Sequence, residues 1–295
     1  MSKMRDKSSV NKTDATLTLL IILLFVAGIG FVIYPDVANY FSSLSHAGIL
    51  EQYEFDVSVM LDDEVDRHFM LAQEYNNSLV AGVITDPFIP GSGIVVPSNY
   101  EEILNINQVM ARIEIPVIDV SLPIFHTTTD EVLHRGIGHI PLTPFPVGQM
   151  GKHAVLTGHT GTPSSRLFTD LELLKLGDVF IVTVLGNKLM YEVDDISVVL
   201  PHEIGNLRNV AHKDLVTLVT CTPYAINSHR LLIRGQRVVL DEHILEEIEV
   251  ISSVINWRLI TATFVTTLFL LGWIFAAIKR KNQRKSSKND FMKEI

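Results

Sequence analysis

Residues 217–235 read TLVTCTPYAINSHRLLIRG and contain Cys221, the only cysteine of the 295-residue chain. A run of strand-forming residues ends at Cys221, and a second apolar run opens at His229-Arg230. Pro223 and the polar residues around it are typical of a turn. The stretch therefore predicts two neighbouring strands joined by a loop, with the thiol at the end of the first strand.

Short β-rich runs also precede this stretch: ARIEIPVIDVSLPIF (111–125), KHAVLTGH (152–159) and DVFIVTVLGNKLMYEVDDISVVL (178–200). A further run, DLVTLVTCT (214–222), leads into it and ends just after Cys221. Turn signals such as Leu185-Gly186-Asn187 separate them. One inserted helix is expected in SSRLFTDLELLKLGD (164–178), ending at Gly177, with an apolar face formed by Leu167, Phe168, Leu171 and Leu174. Short strands with a lone helical insertion predict a mainly β domain, either a barrel or a sandwich.

Residues 36–80 predict a helical stalk or cap, because apolar residues such as Val57, Met60, Leu61 and Val65 follow helical spacing. The next stretch, GVITDPFIPGSGIVVPS (82–98), holds three prolines and three glycines and predicts a loop. A loop of that length is usually functional or disordered.

Two uncharged apolar runs, Ala15–Tyr34 and Leu259–Ile278, are each long enough to cross the roughly 30 Å core of a bilayer as a helix. The first has basic residues before it and is compatible with a cleaved signal peptide. Its length and the lack of a small-residue cleavage site favour a retained anchor.

Charge predicts the orientation of the two spans. Residues 1–14 carry a net charge of +2 and residues 279–295 a net charge of +5, in a chain of net charge -9. Since basic flanks favour the cytoplasmic side, both termini are expected inside and the acidic middle outside. The acidic middle also argues against nucleic acid as a partner, because phosphate binding needs a basic surface.

A lone cysteine cannot form a disulfide within its own chain. The alternatives are a buried structural thiol, an intermolecular bridge and a reactive nucleophile. A nucleophilic thiol needs a proton acceptor and a donor for the developing oxyanion. His159 follows a strand in HAVLTGHTG, and it would share a rim with Cys221 if the two strands were neighbours.

Two arginines are candidates for the oxyanion donor. Arg230 flanks the loop TPYAINSH on the side opposite Cys221, so a hairpin would make the two residues cross-strand neighbours. Arg234 has the same parity but lies four residues further along, about 13 Å at strand rise. The prediction is therefore Arg230, whose planar guanidinium offers a fork of donors.

These segments resemble the sortase family. TLVTCTPY is similar to the sortase cysteine signature, LTGHTG to the segment that bears the histidine, and HRLLIRG to the arginine strand. Three segments are similar to class C sortases, the pilin polymerases: CTPYAINSHRLLIRG, TPSSRLFTDLELLKLGD and the upstream IEIPVIDVSLPIFH. The resemblance covers most of residues 36–245. The resemblance implies a sortase-like closed β-barrel with short helices, in which Cys221 is the nucleophile, His159 the acid/base and Arg230 the oxyanion and substrate clamp.

The resemblance also implies a reaction and its partners. A sorting signal of the Leu-Pro-X-Thr-Gly type is cut between Thr and Gly through a thioester on Cys221, and a pilin lysine amine then takes the acyl group. No cofactor or metal is implied. In class C members a lid with an Asp-Pro-aromatic motif covers the site, and Asp86 and Phe88 match it here.

The expected organisation is a multi-pass protein of the cell membrane whose catalytic domain lies outside. Its expected segments are a cytoplasmic tail (1–14), a transmembrane helix (15–34), a helical region (35–80), a lid loop (81–98), the β-barrel (99–245), a linker (246–258), a transmembrane helix (259–278) and a basic cytoplasmic tail (279–295).

Three other interpretations remain open from sequence. His134, His139, His153 and His159 lie within 26 residues and suggest a zinc site, although strand geometry separates the last two by about 20 Å. A second is a non-catalytic membrane-tethered scaffold with an inert thiol. The third is an anchoring sortase that uses a cell-wall precursor as the acceptor amine.

Overall fold

The computed structural model describes residues 7–79, 97–162 and 164–239, together with the isolated positions 266, 269, 272 and 273. Within these ranges, the side chains of residues 7–19, 21, 22 and 204–206 are not described. The chain divides into two compact units, Met1–Ser252 and Ser253–Ile295. The lid residues Asp86 and Phe88 and nearly all of the predicted span 259–278 lie outside the described residues.

The described part of the first unit is mainly β. Its helices are α1 (Lys7–Ser58), α2 (Asp62–Ser78) and α3 (Asp130–Arg135). Its strands are β1 (Val109–Ile115), β2 (Val120–His126), β3 (Ile137–His139), β4 (Lys152–Thr157), β5 (Val179–Val184), β6 (Asn187–Val199), β7 (Asp214–Thr222) and β8 (His229–Arg237). Short 3-10 helices occupy Tyr100–Glu102, Pro116–Ile118, Thr169–Leu173 and Pro201–Asn206.

The strands close into a barrel in the order β1-β2-β3-β4-β7-β8-β6-β5. Neighbouring strands are antiparallel except in two pairs, β2 with β3 and β4 with β7, which are parallel. The closed barrel predicted from the sortase resemblance is therefore confirmed, and the sandwich alternative is excluded. Closure also removes the unpaired sheet edges that an open sheet would present.

The helix predicted over 164–178 is wrong for most of its length. Only Thr169–Leu173 forms a short 3-10 helix, and Leu167 takes a positive φ of 38° that interrupts helical geometry. The predicted apolar set is nevertheless buried: Leu167, Phe168, Leu171 and Leu174. Packing of these side chains into the barrel core outweighs the local helical preference of the segment. The short helix α3 was not predicted.

The N-terminal helical region lies on the barrel as a cap. Val57, Met60 and Val65 pack against the main core, as the apolar spacing predicted. Leu61 does not follow the prediction: it is 69% exposed at the break between α1 and α2. The Tyr53 hydroxyl fixes α1 to strand β1 and to the turn between β5 and β6, since it donates to the Met110 carbonyl (3.3 Å) and accepts from the Leu185 amide (2.9 Å).

Helix α1 also contains the first predicted span. Its segment Leu23–Ser58 is long and apolar enough to cross a membrane, and it is the one such helix among the described residues. An N-terminal apolar helix suited to membrane anchoring is therefore present.

A buried polar network joins Tyr100 to His139, the last residue of strand β3. The Tyr100 hydroxyl lies 2.8 Å from Nδ1 of His139, and Nε2 of His139 donates to the Pro144 carbonyl at 2.9 Å. The His139 ring stacks on Phe145, with 5.0 Å between ring centroids. Each nitrogen of the neutral imidazole thus has a partner, which is the condition for burying such a group without a large energetic penalty.

Acid should destabilise this barrel, and His139 should account for part of the effect. Burial lowers the pKa of His139 to about 3 and that of His126 to about 4, from the ordinary histidine value of 6.5. Between the folded pKa values and pH 6.5, the unfolded chain binds more protons than the folded chain. The stabilisation that the two neutral histidines provide is therefore fully present above pH 6.5 and is lost as the pH falls toward the folded pKa values. Each histidine contributes at most about 1.4 kcal/mol per pH unit.

We expect His139→Phe to reduce the loss of thermal stability between about pH 7 and about pH 5. The measurement is thermal unfolding of the full chain in mild detergent. His202→Phe, at an exposed histidine of a 3-10 helix, is the matched control and should keep the wild-type pH dependence. An unchanged pH dependence in His139→Phe would show that His139 does not titrate on unfolding.

Candidate active site

The hairpin of β7 and β8 places the thiol opposite an arginine. Its register pairs Cys221 with Arg230, as the loop length predicted. The amides of Ile226 and Asn227 both donate to the Pro223 carbonyl, at 3.0 and 2.9 Å, and these bonds close the connecting turn. The Cys221 side chain is partly exposed, so the thiol lies at the edge of the core.

The two arginines of β8 have different surroundings. Arg230 is only 5% exposed, and its Nη1 donates to the carbonyls of Asn227 (3.1 Å) and His229 (3.0 Å). Arg234 pairs in register with Thr217, four residues before Cys221 on β7. It forms a bidentate ion pair with Asp194 at 2.7 and 3.1 Å. The hydrogen bond to Asp194 raises the pKa of Arg234. Arg230 is thus the arginine at the level of Cys221.

His159 reaches the same end of the barrel. β4 runs parallel to β7 with Thr157 opposite Val219, and the Gly158 amide donates to the Val219 carbonyl at 3.2 Å. The Thr220 hydroxyl donates a hydrogen bond to the Gly158 carbonyl at 2.7 Å. His159 and Cys221 therefore each follow, by two residues, a paired position on adjacent parallel strands, which is the arrangement that a common rim requires.

Gly158 allows this close approach. A Cβ atom built at Gly158 would lie 2.6 Å from Ile137 Cδ1 and 2.9 Å from Phe168 Cδ2, so any larger residue would displace its neighbours. The Phe168 amide in turn donates to the His159 carbonyl at 3.1 Å. The backbone on both sides of the histidine is therefore fixed by the core.

A second histidine lies beside His159. The rings of His134 and His159 meet edge to face, with 5.3 Å between their centroids. Nδ1 of His134 donates to the Asp130 carbonyl at 2.6 Å, within α3. The sequence suggested His134 only as a zinc ligand, and its contact with His159 was missed because nothing in the 25-residue separation indicates it.

The surroundings of His159 favour its neutral form. Burial lowers the pKa of His159, the neighbouring His134 lowers it further, and Asp130 partly opposes both effects. A neutral imidazole carries a lone pair on one ring nitrogen and is the form that can act as a base near neutral pH. A thiol and a guanidinium thus lie opposite each other on β7 and β8, and an imidazole follows the neighbouring strand β4.

The four histidines that suggested zinc do not converge. His139 bonds to Tyr100, and His153 bonds to Thr217 Oγ1 (2.7 Å) and to the Arg208 carbonyl (3.0 Å). Across the part of the chain that the structure describes, no three His, Cys, Asp or Glu side chains are placed to hold a metal ion.

Comparison with known proteins identifies the fold family. The sortase domain model matches residues 113–238. Sortase A of Bacillus anthracis is 31% identical over 136 residues, which are 46% of this chain and 62% of that protein.

Two solved class C structures extend the match. Sortase C-1 of Actinomyces oris is 47% identical, with a TM-score of 0.58, over 60% of this chain and 99% of that one. A Streptococcus pneumoniae sortase C, analysed for catalysis and pilin substrate specificity, is 36% identical, with a TM-score of 0.62, over 65% and 97%. Since the alignment covers nearly the whole of both solved chains at this identity, the chain belongs to the sortase family of transpeptidases, and the solved structures it resembles are class C sortases.

Proposed function

We propose that this chain is a pilin-polymerising sortase that cleaves a Leu-Pro-X-Thr-Gly sorting signal between Thr and Gly and transfers the acyl group to a pilin lysine. The proposal is supported by the strand register, which pairs Cys221 with Arg230 and places β4, the strand before His159, beside β7. The similarity to class C sortases supports pilin as the substrate class. Nucleic acid has no part in the proposal.

In the first half-reaction the Cys221 thiol gives its proton to His159, and the sulfur attacks the threonine carbonyl carbon. Arg230 N–H groups stabilise the negative charge on the carbonyl oxygen. When the tetrahedral intermediate collapses, the C–N bond to glycine breaks and protonated His159 donates its proton to the leaving amine. The product is a thioester between threonine and Cys221.

In the second half-reaction a lysine amine attacks the thioester carbon, and His159 accepts the proton that the amine loses. The C–S bond then breaks, the amide forms, and Cys221 regains a proton. One bond is formed and one is broken in each half, so neither a metal nor an organic cofactor is needed to balance the reaction.

The lid assignment is also a proposal. Asp86 would pair with Arg230 and Phe88 would cover the thiol, so that the resting enzyme excludes water until a substrate displaces the loop. Such a lid would favour transfer of the thioester to an amine over its hydrolysis.

The membrane topology is proposed from charge. The chain would cross the membrane at residues 15–34 and 259–278, with both termini inside and the barrel outside. The other segments would then have the roles expected from the sequence. They are residues 1–14, 35–80, 81–98, 99–245, 246–258 and 279–295. An anchoring sortase that uses a cell-wall precursor remains the alternative for the acceptor amine.

Removal of either proposed reacting group should abolish polymerisation. We expect Cys221→Ala to be inactive and His159→Ala to lose roughly 10²- to 10⁴-fold in rate, because each removes one chemical step. The measurement is the ladder of pilin polymers on denaturing gels. Lys188→Ala, at an exposed residue at the far end of the barrel, is the control and should remain active. A well-folded Cys221→Ala protein that still forms polymers would exclude the proposed function.

The two arginines of β8 should differ in a peptide-cleavage assay. Arg230→Lys keeps the charge and loses the fork of donors, so we expect kcat to fall about 10²- to 10³-fold. Arg234→Lys disturbs only the ion pair with Asp194 and should have a milder effect. A larger loss in Arg234→Lys would contradict the role given to Arg230.

His134 should set the pH range of the reaction without taking part in it. Because His134 lowers the pKa of His159, His134→Gln should raise that pKa and move the acidic limb of the kcat/KM profile to higher pH. The exposed His202→Gln variant should leave the limb in place. A limb that stays fixed or moves to lower pH in His134→Gln would contradict this assignment.

A further inference from the structure

Helix α1 lies along the barrel from one end to the other. We call the end formed by His159, Cys221, the described residues 160–162 and 164–168, and the loop 223–228 the Cys221 rim. At this rim the Asn39 side-chain oxygen accepts from the Arg166 amide at 2.9 Å, and the Ser42 hydroxyl bonds to the Ser165 hydroxyl at 2.9 Å. These contacts join α1 to the loop that follows His159.

The later part of α1 contacts the opposite end of the barrel. Tyr53 bonds to the Leu185 amide in the turn between β5 and β6. Val57 lies 4.0 Å from the position of a Cβ atom at Gly186 in the same turn. Strand pairing places this turn opposite the Cys221 rim, because β5 is antiparallel to β6 and β6 ends beside the start of β8.

The direction of α1 determines which end of the barrel is nearer the membrane. The uncharged run 15–34 precedes both sets of contacts and belongs to the same continuous helix. At a rise of 1.5 Å per residue, Asn39 lies about 8 Å beyond Tyr34 along the axis, and Tyr53 lies about 29 Å beyond it. The Cys221 rim is therefore the end of the barrel that faces the apolar run.

Exposed apolar side chains continue along α1 past this run. They are Val37, Tyr40, Phe41 and Leu44. Their spacing places them on one face of the helix, opposite the face of Asn39, Ser42 and His46 that contacts the barrel. We call these four residues the α1 stripe. Aromatic residues at such a position are typical of the boundary between lipid and water.

The Cys221 rim presents apolar groups of its own. Tyr224 and Ile226 in loop 223–228 are exposed, Ile226 by 71%. The ring of Tyr224 packs against Gly161, where a Cβ atom would lie 3.3 Å away, so the two loops of the rim are in contact. Exposed apolar side chains thus occur on both the helix and the rim at the same end of the barrel.

We propose that the Cys221 rim faces the bilayer and rests at the lipid headgroup layer, with the α1 stripe and loop 223–228 as the contact surface. The proposal rests on the proposed anchoring of residues 15–34 in the membrane. The headgroup layer is about 5 to 8 Å deep on each side of the hydrocarbon core, and Asn39 is about 8 Å past the end of the apolar run. The site would therefore receive substrate segments at the membrane surface.

The test measures the distance of four positions from the headgroups. In the full chain carrying Cys221→Ala, single cysteines are introduced as Phe41→Cys, Phe55→Cys, Ile226→Cys and Lys188→Cys, labelled with a fluorophore and reconstituted in phosphatidylcholine vesicles. The quencher is phosphatidylcholine with a spin label on its headgroup. We expect quenching at positions 41 and 226 to exceed that at 55 and 188 by about twofold or more, since the latter lie about 20 Å further along α1 or at the opposite end.

Phe55 is a matched control, because it is 61% exposed and lies on the same helix face as the 65% exposed Phe41, 14 residues further on. Equal quenching at 226 and 188, or stronger quenching at 188, would overturn the proposal. Equal strong quenching at 41 and 55 would also overturn it, since the helix would then lie flat on the bilayer. Absent quenching at 41 would overturn it as well, since a protein surface and not lipid would then cover the stripe. No outcome depends on transpeptidation, because the reporter protein lacks the thiol.

Discussion

The hydrogen-bonded register of strand β7 is the constraint on which the site depends. β7 pairs in parallel with β4 on one side and antiparallel with β8 on the other. The first pairing brings His159 to the thiol end of β7, and the second places Arg230 opposite Cys221. A slip of one residue would turn every side chain of β7 to the other face. Since Asp214–Thr220 are buried, such a slip would also disrupt the core, so packing and chemistry require the same register.

The helices keep this register in place from outside the barrel. Asn76 of α2 forms a pair of bonds with the backbone of Phe145, donating to its carbonyl at 3.1 Å and accepting from its amide at 2.7 Å. Lys152, at the start of β4, donates to the Asn76 carbonyl at 2.7 Å. At the other end of β4, the Ser42 and Asn39 contacts of α1 hold the loop beyond His159. The histidine strand is thus held at both of its ends by the N-terminal helical region.

The sequence predicted the hairpin and the common rim because both follow from strand ends and loop length. Cys221, Arg230 and His159 each stand at a strand terminus marked by turn residues, and parity separated Arg230 from Arg234. The helix prediction failed where tertiary packing overrides the local pattern. Leu167 and Phe168 belong to an apolar set with helical spacing, but they are buried from an irregular segment. The contact between His134 and His159 could not be predicted, because the six residues of α3 are too few for a periodic signal and the two histidines are distant in the chain.

The central claim is that the thiol of Cys221 forms an acyl bond with a sorting signal, and mass spectrometry tests it most directly. The full chain would be incubated with a labelled peptide that contains Leu-Pro-X-Thr-Gly, quenched in acid and digested. The account predicts that the peptide bearing Cys221 gains the mass of the acyl fragment ending at threonine, and that hydroxylamine removes it. An acyl adduct on a residue other than Cys221, or release of the glycine fragment by the Cys221→Ala protein at the wild-type rate, would contradict the account.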